Sequence, residues 1–188
     1  KGTFYYTNGD KYIGDWVKDV QHGKGIYYFQ NGERYEGDYA DGERTGKGIY
    51  VYPNGDKYVG QFKNGWQEGT GTFTWQNGAV YEGEWVKNQR SGKGYYKWGN
   101  GDEYEGQWKD NMAEGEGVLR MQDGSVYTGH FSRGKEDGKG TIVSKDGVRF
   151  EGFFKQGKKD GPFVETDSNG KIIRQGTFRS GRLLEEKK

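Results

Sequence analysis

A 23-residue repeat constrains the fold of this chain more than any other feature of its sequence. Seven aromatic residues follow one another at this spacing, and each is followed two positions later by glycine. The seven are Tyr12, Tyr35, Tyr58, Tyr81, Tyr104, Tyr127 and Phe150. Self-similarity at a period of roughly 20–50 residues is typical of repeat proteins, in which each unit packs only on its neighbours.

Each repeat contains two short strand patterns. In the first pattern, alternation places Tyr81 and Trp85 on one face of the strand and Glu82 on the other. The second pattern runs through Gly-x-Gly, with rings such as Tyr50 and Tyr52 on the glycine face. Every unit closes on Asn-Gly or Asp-Gly, which predicts a two-residue type I′ turn into the next unit. Within each unit we predict a looser loop, at a position occupied by Gly, Asn or Asp.

Consecutive hairpins predict an all-β fold, an elongated, curved single-layer antiparallel β-hairpin array that forms a 23-residue repeat solenoid. Bulky rings alternating with glycine favour curvature toward the ring face. The predicted array spans 1–181, with a half unit in 1–11, seven units starting at 12, 35, 58, 81, 104, 127 and 150, and a degraded partial unit in 173–181. A charged C-terminal tail, 182–188, is expected to form a helical turn or to fray. Because the chain starts within a half unit and without Met, we expect a fragment of a longer protein.

Composition narrows the function classes. The 29 basic and 28 acidic residues nearly balance, which argues against a nucleic-acid partner. The absence of cysteine excludes disulfides, thiolate metal ligands and a thiol nucleophile. No apolar run approaches the ~20 residues of a membrane span, and no signal peptide opens the chain. We therefore expect a cytoplasmic protein whose core is built from 15 Tyr, 10 Phe and 6 Trp.

The repeat resembles a known family. Tyr81-Glu82-Gly83-Glu84-Trp85, followed by Gly92-Lys93-Gly94 and Asn100-Gly101-Asp102, resembles the MORN repeat, named for membrane occupation and recognition nexus. The resemblance implies single-layer β arrays that act as scaffolds in cytoskeletal, ciliary and flagellar assemblies. The chain departs from the family where His usually precedes Gly-Lys-Gly. Only His22 keeps this residue, and the other units carry Thr45, Glu68, Ser91, Glu114, Asp137 and Asp160.

The residues give little support to catalysis, and we predict no enzyme activity, no catalytic residues, no cofactor and no metal. His22 and His130 occupy different positions of the repeat, so the repeat does not pair them. The Gly-x-Gly pairs lack the Lys-Ser/Thr of a phosphate-binding loop and the third glycine of a dinucleotide fingerprint. The glycines are better explained by packing within the sheet.

Two series of aromatic residues are the candidate partner-binding site. One series lies in the second strand of each unit and the other in the first strand. They comprise Phe29, Tyr52, Trp75 and Trp98, and Trp16, Tyr39, Phe62, Trp85 and Trp108. These rings either hold a one-layer sheet together or line a concave groove for a protein partner, since exposed Trp and Tyr anchor many interfaces. We predict a non-catalytic scaffold or adaptor that binds an extended peptide or a helix of a cytoskeletal or ciliary protein.

Three alternatives stay open at this point. The chain could tether anionic phospholipid through a C-terminal basic patch that includes Lys155, Lys158 and Lys159, although a small patch gives only weak attachment. It could also serve as the accessory array of a larger enzyme. Self-association through the open strand edges at the array ends is a third possibility. The partner, the complex and the oligomeric state do not follow from the sequence.

Overall fold

The computed structural model describes residues 1–187, and within them the protein consists of β-strands and turns without any helix. In these pairings, each strand pairs antiparallel with the strand that follows it in the chain. This confirms the predicted all-β array of hairpins. Each 23-residue repeat supplies one strand of about seven residues and one of about nine.

The chain forms two compact units, Lys1–Gly92 and Lys93–Lys188. Unit 1 contains β1 Gly2–Tyr5, β2 Lys11–Val17, β3 Val20–Tyr28, β4 Arg34–Ala40, β5 Glu43–Val51, β6 Lys57–Lys63, β7 Trp66–Thr74 and β8 Val80–Val86. Strand β9, Gln89–Lys97, includes the boundary. Unit 2 contains β10 Glu103–Lys109, β11 Met112–Arg120, β12 Val126–Ser132, β13 Lys135–Val143, β14 Arg149–Lys155, β15 Lys158–Thr166, β16 Ile172–Arg179 and β17 Arg182–Lys187.

The tight type I′ turns lie inside the repeats rather than between them. Both central residues of each such turn have positive φ, for example 50° at Lys18 and 62° at Asp19. The same geometry recurs at 41–42, 64–65, 87–88, 110–111, 133–134, 156–157 and 180–181. The predicted αL position was therefore right, but the expectation of a looser loop here is wrong. A two-residue I′ turn matches the right-handed twist of the strands it joins.

The Asn-Gly turns are three-residue loops, so the predicted type I′ geometry there is wrong. At the first of them, Gly9 donates to the Tyr6 carbonyl at 3.1 Å, and Tyr6 donates to the Asp10 carbonyl at 2.9 Å. Only the glycine has positive φ, 93° at Gly9, which is the pattern of a type I turn closed by a glycine bulge. Asn8 instead accepts the Asp10 backbone N–H through its side chain.

In alternate 23-residue repeats, one of these loops is hydrogen-bonded to the next loop along the chain. The Asp10 carboxylate accepts the backbone N–H of Gln30 at 2.8 Å. The same bond recurs 46 residues later from Gln76 to Asp56, and again from Gln122 to Asp102. In the intervening repeats, the position of this aspartate is occupied by Glu33, Ala79 and Ser125. The repeat of 23 residues therefore has a longer period of 46 residues superimposed on it.

The two glycines of each Gly-x-Gly have different roles. The first has positive φ, 66° at Gly23, and lies where the strand register shifts between Gly14 and Asp15. It is a β-bulge glycine. The second, Gly25, lies directly opposite Gly14 and under the Tyr12 ring. We predicted from the sequence that both glycines are required for packing within the sheet. This is correct only for the second glycine.

The core is a ladder of rings that covers this line of glycines. In unit 1 successive ring centroids are 5.0–5.3 Å apart and meet edge to face at 81–90°. We call this the inner aromatic row; in unit 1 it comprises Tyr12, Trp16, Tyr35, Tyr39, Tyr58, Phe62, Tyr81 and Trp85. Each tyrosine hydroxyl reaches over the glycines to donate to the carbonyl three residues on, as Tyr35 does to Asp38 at 3.0 Å. A Cβ on Gly48 would lie 2.5 Å from the Tyr35 ring, so only glycine fits there.

Unit 2 has an inner aromatic row of the same kind. It comprises Tyr104, Trp108, Tyr127, Phe131, Phe150 and Phe154. Its last repeat changes two residues together. Phe150 has no hydroxyl to place over the second glycine, and that glycine is replaced by Phe163, which stacks on Phe150 at 5.4 Å. Phe178 of β16 packs on the same pair.

The C-terminal segment continues the sheet, so the expectation of a helical turn or a frayed end in 182–188 is wrong for the described part. Strand β17 pairs with β16, with Arg182 opposite Arg179 and Leu183 opposite Phe178. The Ser180-Gly181 turn has the two positive φ values that a hairpin requires. Lys188 of the predicted tail lies outside the described residues.

Candidate functional site

Unit 1 carries a second row of rings beside the inner row and on the same face of the sheet. Tyr27 lies opposite both Tyr12 and Tyr35 in the strand register, and alternation puts Phe29 on that face too. Neighbouring centroids along this row are 4.5–5.9 Å apart. We call it the outer aromatic row; in unit 1 it comprises Tyr6, Tyr27, Phe29, Tyr50, Tyr52, Phe73 and Trp75.

The outer row contains three of the predicted binding residues, Phe29, Tyr52 and Trp75, and all three are half-buried. The structure adds Tyr27, Tyr50 and Phe73 between them, which the sequence analysis did not select as candidates. Their signal was present, since these rings lie two residues before the selected ones. The predicted series contains one outer ring per repeat, whereas the row contains two, and the second ring makes it continuous.

Polar side chains fix the tyrosines of the outer row. The Tyr27 hydroxyl donates to Asp10 at 2.8 Å, and the Tyr50 hydroxyl donates to Glu33 at 2.7 Å. Burial, followed by these carboxylates, raises the pKa of both tyrosines above its ordinary value. The backbone N–H of Gln30 is the main cause that lowers the pKa of Asp10. At neutral pH both tyrosines are therefore neutral hydrogen-bond donors, and Asp10 is a charged acceptor.

Two other hydroxyls of the row accept hydrogen bonds instead. Gln21 donates to the Tyr6 hydroxyl at 2.9 Å, and Gln67 donates to the Tyr52 hydroxyl at 3.3 Å. Within the described residues neither hydroxyl donates its own hydrogen to a protein group. Both hydroxyls can therefore donate to a bound carbonyl.

Arginine side chains connect the two rows in alternate repeats. The Arg44 guanidinium carbon lies 5.2 Å from the Tyr50 ring centroid in the outer row and 5.7 Å from Tyr35 in the inner row. Arg90 bridges Trp75 and Tyr81 in the same way, at 5.8 and 5.6 Å. These cation–π contacts add a positive charge to the ring face. The spacing of the aromatic residues does not reveal these contacts, but the alternation of Gln and Arg at positions 21, 44, 67 and 90 is a sequence signal for them.

The outer row becomes aliphatic and polar in unit 2. Tyr96 and Trp98 pack at 4.7 Å, and Trp98 is 37% exposed. The next positions of the pattern hold Leu119, Met121, Ile142 and Ser144. The last position is Glu165, whose carboxylate accepts bonds from Arg174, which are the main cause of its lowered pKa. A row of rings thus ends in an ion pair.

Most rings of the predicted first-strand series are buried by packing within the sheet. Tyr39, Phe62, Trp85 and Trp108 are buried, and Trp16 is half-buried. The indole N–H of Trp85 donates to the Gly71 carbonyl at 3.1 Å, and that of Trp108 donates to Gly94 at 3.2 Å. These rings therefore hold the sheet together, and little of their surface is left for a partner.

From the sequence we predicted a concave groove on the ring face. In unit 1, however, a cavity of about 1060 Å³ lies on the face opposite the rings. Its floor is the backbone of the glycine line, and its walls include Ile13, Ile49, Lys24 and Lys47. The physical reason is that rings fill the space above the glycines on one face. On the other face, the residues before and after each glycine leave a trough between them.

The remaining candidate residues are scattered. Lys155 and Lys158 lie opposite each other in the register, whereas Lys159 lies on the ring face, 3.8 Å from the Phe150 ring centroid. Nδ1 of His130 lies 2.9 Å from the Asp137 carbonyl oxygen, and His22 lies opposite Asp15. In residues 1–187 no group of three or more His, Cys, Asp or Glu is placed to hold a metal ion. The same part of the chain has no helix long and apolar enough to cross a membrane.

Comparison with known protein families identifies MORN repeats in seven consecutive segments, 12–34, 35–57, 58–80, 81–103, 104–126, 127–149 and 150–172. A search of curated proteins returned no match. Among solved structures, the chain is similar to the TCP domain of SAS-4 from Drosophila melanogaster in complex with a proline-rich motif of Ana2. The identity is 16%, the match covers 80% of this chain and 82% of that one, and the TM-score is 0.51.

Two further similarities are more distant. The TCP10c domain of Drosophila melanogaster Sas-4 matches at 15% identity with a TM-score of 0.47, covering 80% of this chain and 90% of that one. The CPAP G-box domain matches at 15% identity with a TM-score of 0.45, covering 94% and 97%. At such identities the first similarity establishes a shared fold.

Proposed function

This chain belongs to the MORN-repeat family, and we propose that it is a non-catalytic scaffold or adaptor that binds a protein partner on the outer aromatic row of unit 1. The observation that carries the proposal is the difference between the two rows. In unit 1 the inner row is buried except for Trp16, whereas every ring of the outer row except Tyr50 is only half-buried. A line of partly exposed aromatics is the kind of surface that anchors interfaces.

An extended partner fits this row better than a helix does. Equivalent rings recur once per hairpin, and two strands at ~4.8 Å give a spacing of about 9.6 Å. One turn of polyproline II rises about 9.3 Å over three residues, so every third residue of such a peptide meets an equivalent ring. An α-helix rises about 5.4 Å per turn and falls out of step with the rings.

The polar groups of the row support the same kind of partner. A polyproline II peptide has no internal hydrogen bonds, and its carbonyls are free to accept. The hydroxyls of Tyr6 and Tyr52 lie among the rings and have hydrogens to donate. Aromatic grooves that recognise proline-rich segments combine rings and donors in this way. The similarly folded SAS-4 domain, whose structure contains a proline-rich motif, agrees with this proposal.

We further propose that the protein acts in a cytoplasmic assembly of the cytoskeleton, such as a cilium, flagellum or centriole. The family and the similar fold favour this setting over an enzymatic one. The described ring face offers hydrogen-bonded tyrosines and cation–π pairs. Its chemistry is that of recognition.

The test is a binding measurement on matched tryptophan variants. A partner captured on the immobilised chain is identified by mass spectrometry, and its minimal segment is titrated by calorimetry. We expect Trp75→Ala to weaken binding by about 2 kcal/mol, roughly thirtyfold, as loss of an aromatic anchor does. Tyr52→Phe should weaken binding less, through the lost donor.

Trp66→Ala is the matched control, because Trp66 is 49% exposed in the same unit but projects from the opposite face. It should change affinity less than about twofold. Full-strength binding by Trp75→Ala together with loss of binding by Trp66→Ala would move the site to the opposite face and overturn the proposal. Thermal melts of both variants separate lost contacts from lost folding.

A further inference from the structure

The turn margin of unit 2 is basic at nearly every position. The margin is formed by the two residues that flank each type I′ turn and face away from the rings. In unit 2 these residues are Lys109 with Met112, Ser132 with Lys135, Lys155 with Lys158, and Arg179 with Arg182. We call the six cationic residues among them the basic margin, and all six are exposed.

Unit 1 provides an internal control for this observation. Three of its corresponding pairs are Val17 with Val20, Ala40 with Glu43, and Lys63 with Trp66. They hold one acid and one base between them, so the repeat itself does not demand cations at these positions. The basic margin is a property of unit 2 alone.

The cations of the margin are placed against one another. Lys155 faces Lys158 directly across the two strands, and Arg179 faces Arg182. Like charges in directly opposed positions destabilise a sheet. Within residues 1–187, none of the six takes part in an ion pair. Repulsion between these cations therefore destabilises the folded chain, and a bound anionic ligand would reduce this repulsion.

The neighbouring carboxylates do not cancel this charge. Glu114, Asp137 and Asp160 lie one step behind the margin, and each accepts a backbone N–H of the next turn, from Arg133, Gln156 and Ser180 respectively. The bond from Gln156 is the main cause of the lowered pKa of Asp137, and the charge of Lys155 is a smaller one. The turns also carry Asp110 and the Arg133 side chain, which balance each other.

We propose that the basic margin of unit 2 binds a linear acidic segment of a protein, in an extended conformation. The margin crosses eight strands, and at ~4.8 Å per strand it extends over roughly 34 Å, the length of about ten extended residues. The six cations form a line about one residue pair wide. A flat anionic membrane would also approach the three carboxylates behind that line, whereas an extended peptide can contact the cations alone.

The site is independent of the outer aromatic row of unit 1, since its residues face away from the rings of their own unit and belong to unit 2. A probe for it is a fluorescent Glu-Ser peptide of about twelve residues, chosen to span the margin. Its matched control peptide carries Gln at every Glu. We expect the intact chain to bind the Glu peptide and not the Gln peptide, with an affinity that falls as salt rises, because exposed charges are screened.

The decisive variant is Lys155→Gln with Lys158→Gln, Arg179→Gln and Arg182→Gln, which should weaken binding of the Glu peptide about tenfold or more. The matched control replaces four exposed lysines of unit 1, Lys18, Lys57, Lys63 and Lys87, by Gln and removes the same net charge. It should change the affinity less than about twofold. Equal losses in both variants would reduce the effect to net charge and overturn the proposal.

Vesicles of phosphatidylcholine with and without phosphatidylserine form the second arm of the test. If the chain binds the phosphatidylserine vesicles more tightly than the Glu peptide, and loses this with the margin variant, the site takes lipid and the peptide assignment is wrong. The margin variant should melt at the same temperature as the parent or slightly higher, because opposed cations have been removed. Its binding loss then cannot be attributed to unfolding.

Discussion

Units 1 and 2 have the same inner aromatic row but different surfaces around it. Edge-to-face ring pairs recur in both, 5.2 Å apart for Tyr58 with Phe62 and for Tyr127 with Phe131. The outer row, by contrast, is aromatic in unit 1 and ends in an ion pair in unit 2. The turn margin is nearly neutral in unit 1 and basic in unit 2.

This difference separates the residues that make the fold from those free to acquire a function. Positions whose side chains contact the glycine line stay aromatic in both units, because the sheet has no second layer to compensate for the loss of a ring. Positions one step farther from that line vary between the units without any change in strand pairing. Recognition is therefore expected where the units differ.

The largest expected effect tests the claim that both inner rows are structural. Trp85→Ala in unit 1 and Trp108→Ala in unit 2 should each lower the free energy of unfolding by about 3–5 kcal/mol, since both side chains are buried and their N–H groups are bonded. The outer-row changes Trp75→Ala and Trp98→Ala should cost about 1–2 kcal/mol each. Urea titrations followed by near-ultraviolet circular dichroism measure all four.

An outer-row variant as destabilising as its inner-row counterpart would erase the distinction between the rows. In that case the line of half-buried rings would be a second core, and the proposed site would need a different location.

A second prediction concerns the glycine line, which should be equally intolerant in both units. A Cβ at Gly48 would lie 2.5 Å from the Tyr35 ring, and one at Gly117 would lie 2.6 Å from the Tyr104 ring. Replacing either glycine by alanine should therefore cost about 3 kcal/mol through overpacking. Gly78→Ala is the matched control, because its Cβ would meet nothing within 4 Å and only its positive φ is penalised, at about 1 kcal/mol.

Melting temperatures of the three glycine variants provide the measurement. If Gly117→Ala is tolerated and Gly48→Ala is not, the ring ladder of unit 2 is looser than its geometry indicates.

The smallest expected effect is a loss of folding stability at alkaline pH. Burial, as the main cause, raises the pKa of Tyr12 and of Tyr104 to about 12, from an ordinary value of 10.0. The unfolded chain ionises first, so the stability from these groups is complete below pH 10 and is lost as the pH rises to about 12. Melting temperatures should be flat below pH 10 and fall above it, in step with tyrosinate absorbance.

Single Tyr→Phe changes sharpen the comparison between the units. Tyr12→Phe and Tyr104→Phe should each make the alkaline slope shallower to a similar extent, because each removes one buried hydroxyl whose pKa is raised. A slope that neither change makes shallower would contradict the assignment of the transition to these buried hydroxyls.

Much of this architecture could be predicted from the sequence, because the period of 23 residues and strict alternation define the strands and their faces. The turns were assigned the wrong way round, since Asn-Gly fits both a type I′ turn and a type I turn with a glycine bulge. The hydrogen bonds from Gly9 and Tyr6 decide between them, and they depend on one extra loop residue.

The candidate site was harder to predict than the fold, and its binding role stays a prediction. Phe29, Tyr52 and Trp75 were selected correctly as ring-face positions, but Trp85 and Trp108 looked equivalent to them. What separates the two sets is burial against the glycine line, which depends on neighbouring repeats. Arg44 was missed because its role depends on rings from three strands around it.

The bonds between successive loops have a consequence for how such a chain can lengthen. Asp10 needs a backbone N–H at residue 30, and Gln30 supplies it; one repeat later the same position is Pro53, which has no N–H to donate. Excision of residues 12–34 would leave Asp10 facing Pro53, whereas excision of 12–57 would bring Gln76 to the same place. Duplication or loss of segments in this gene should therefore be tolerated best in even numbers of repeats.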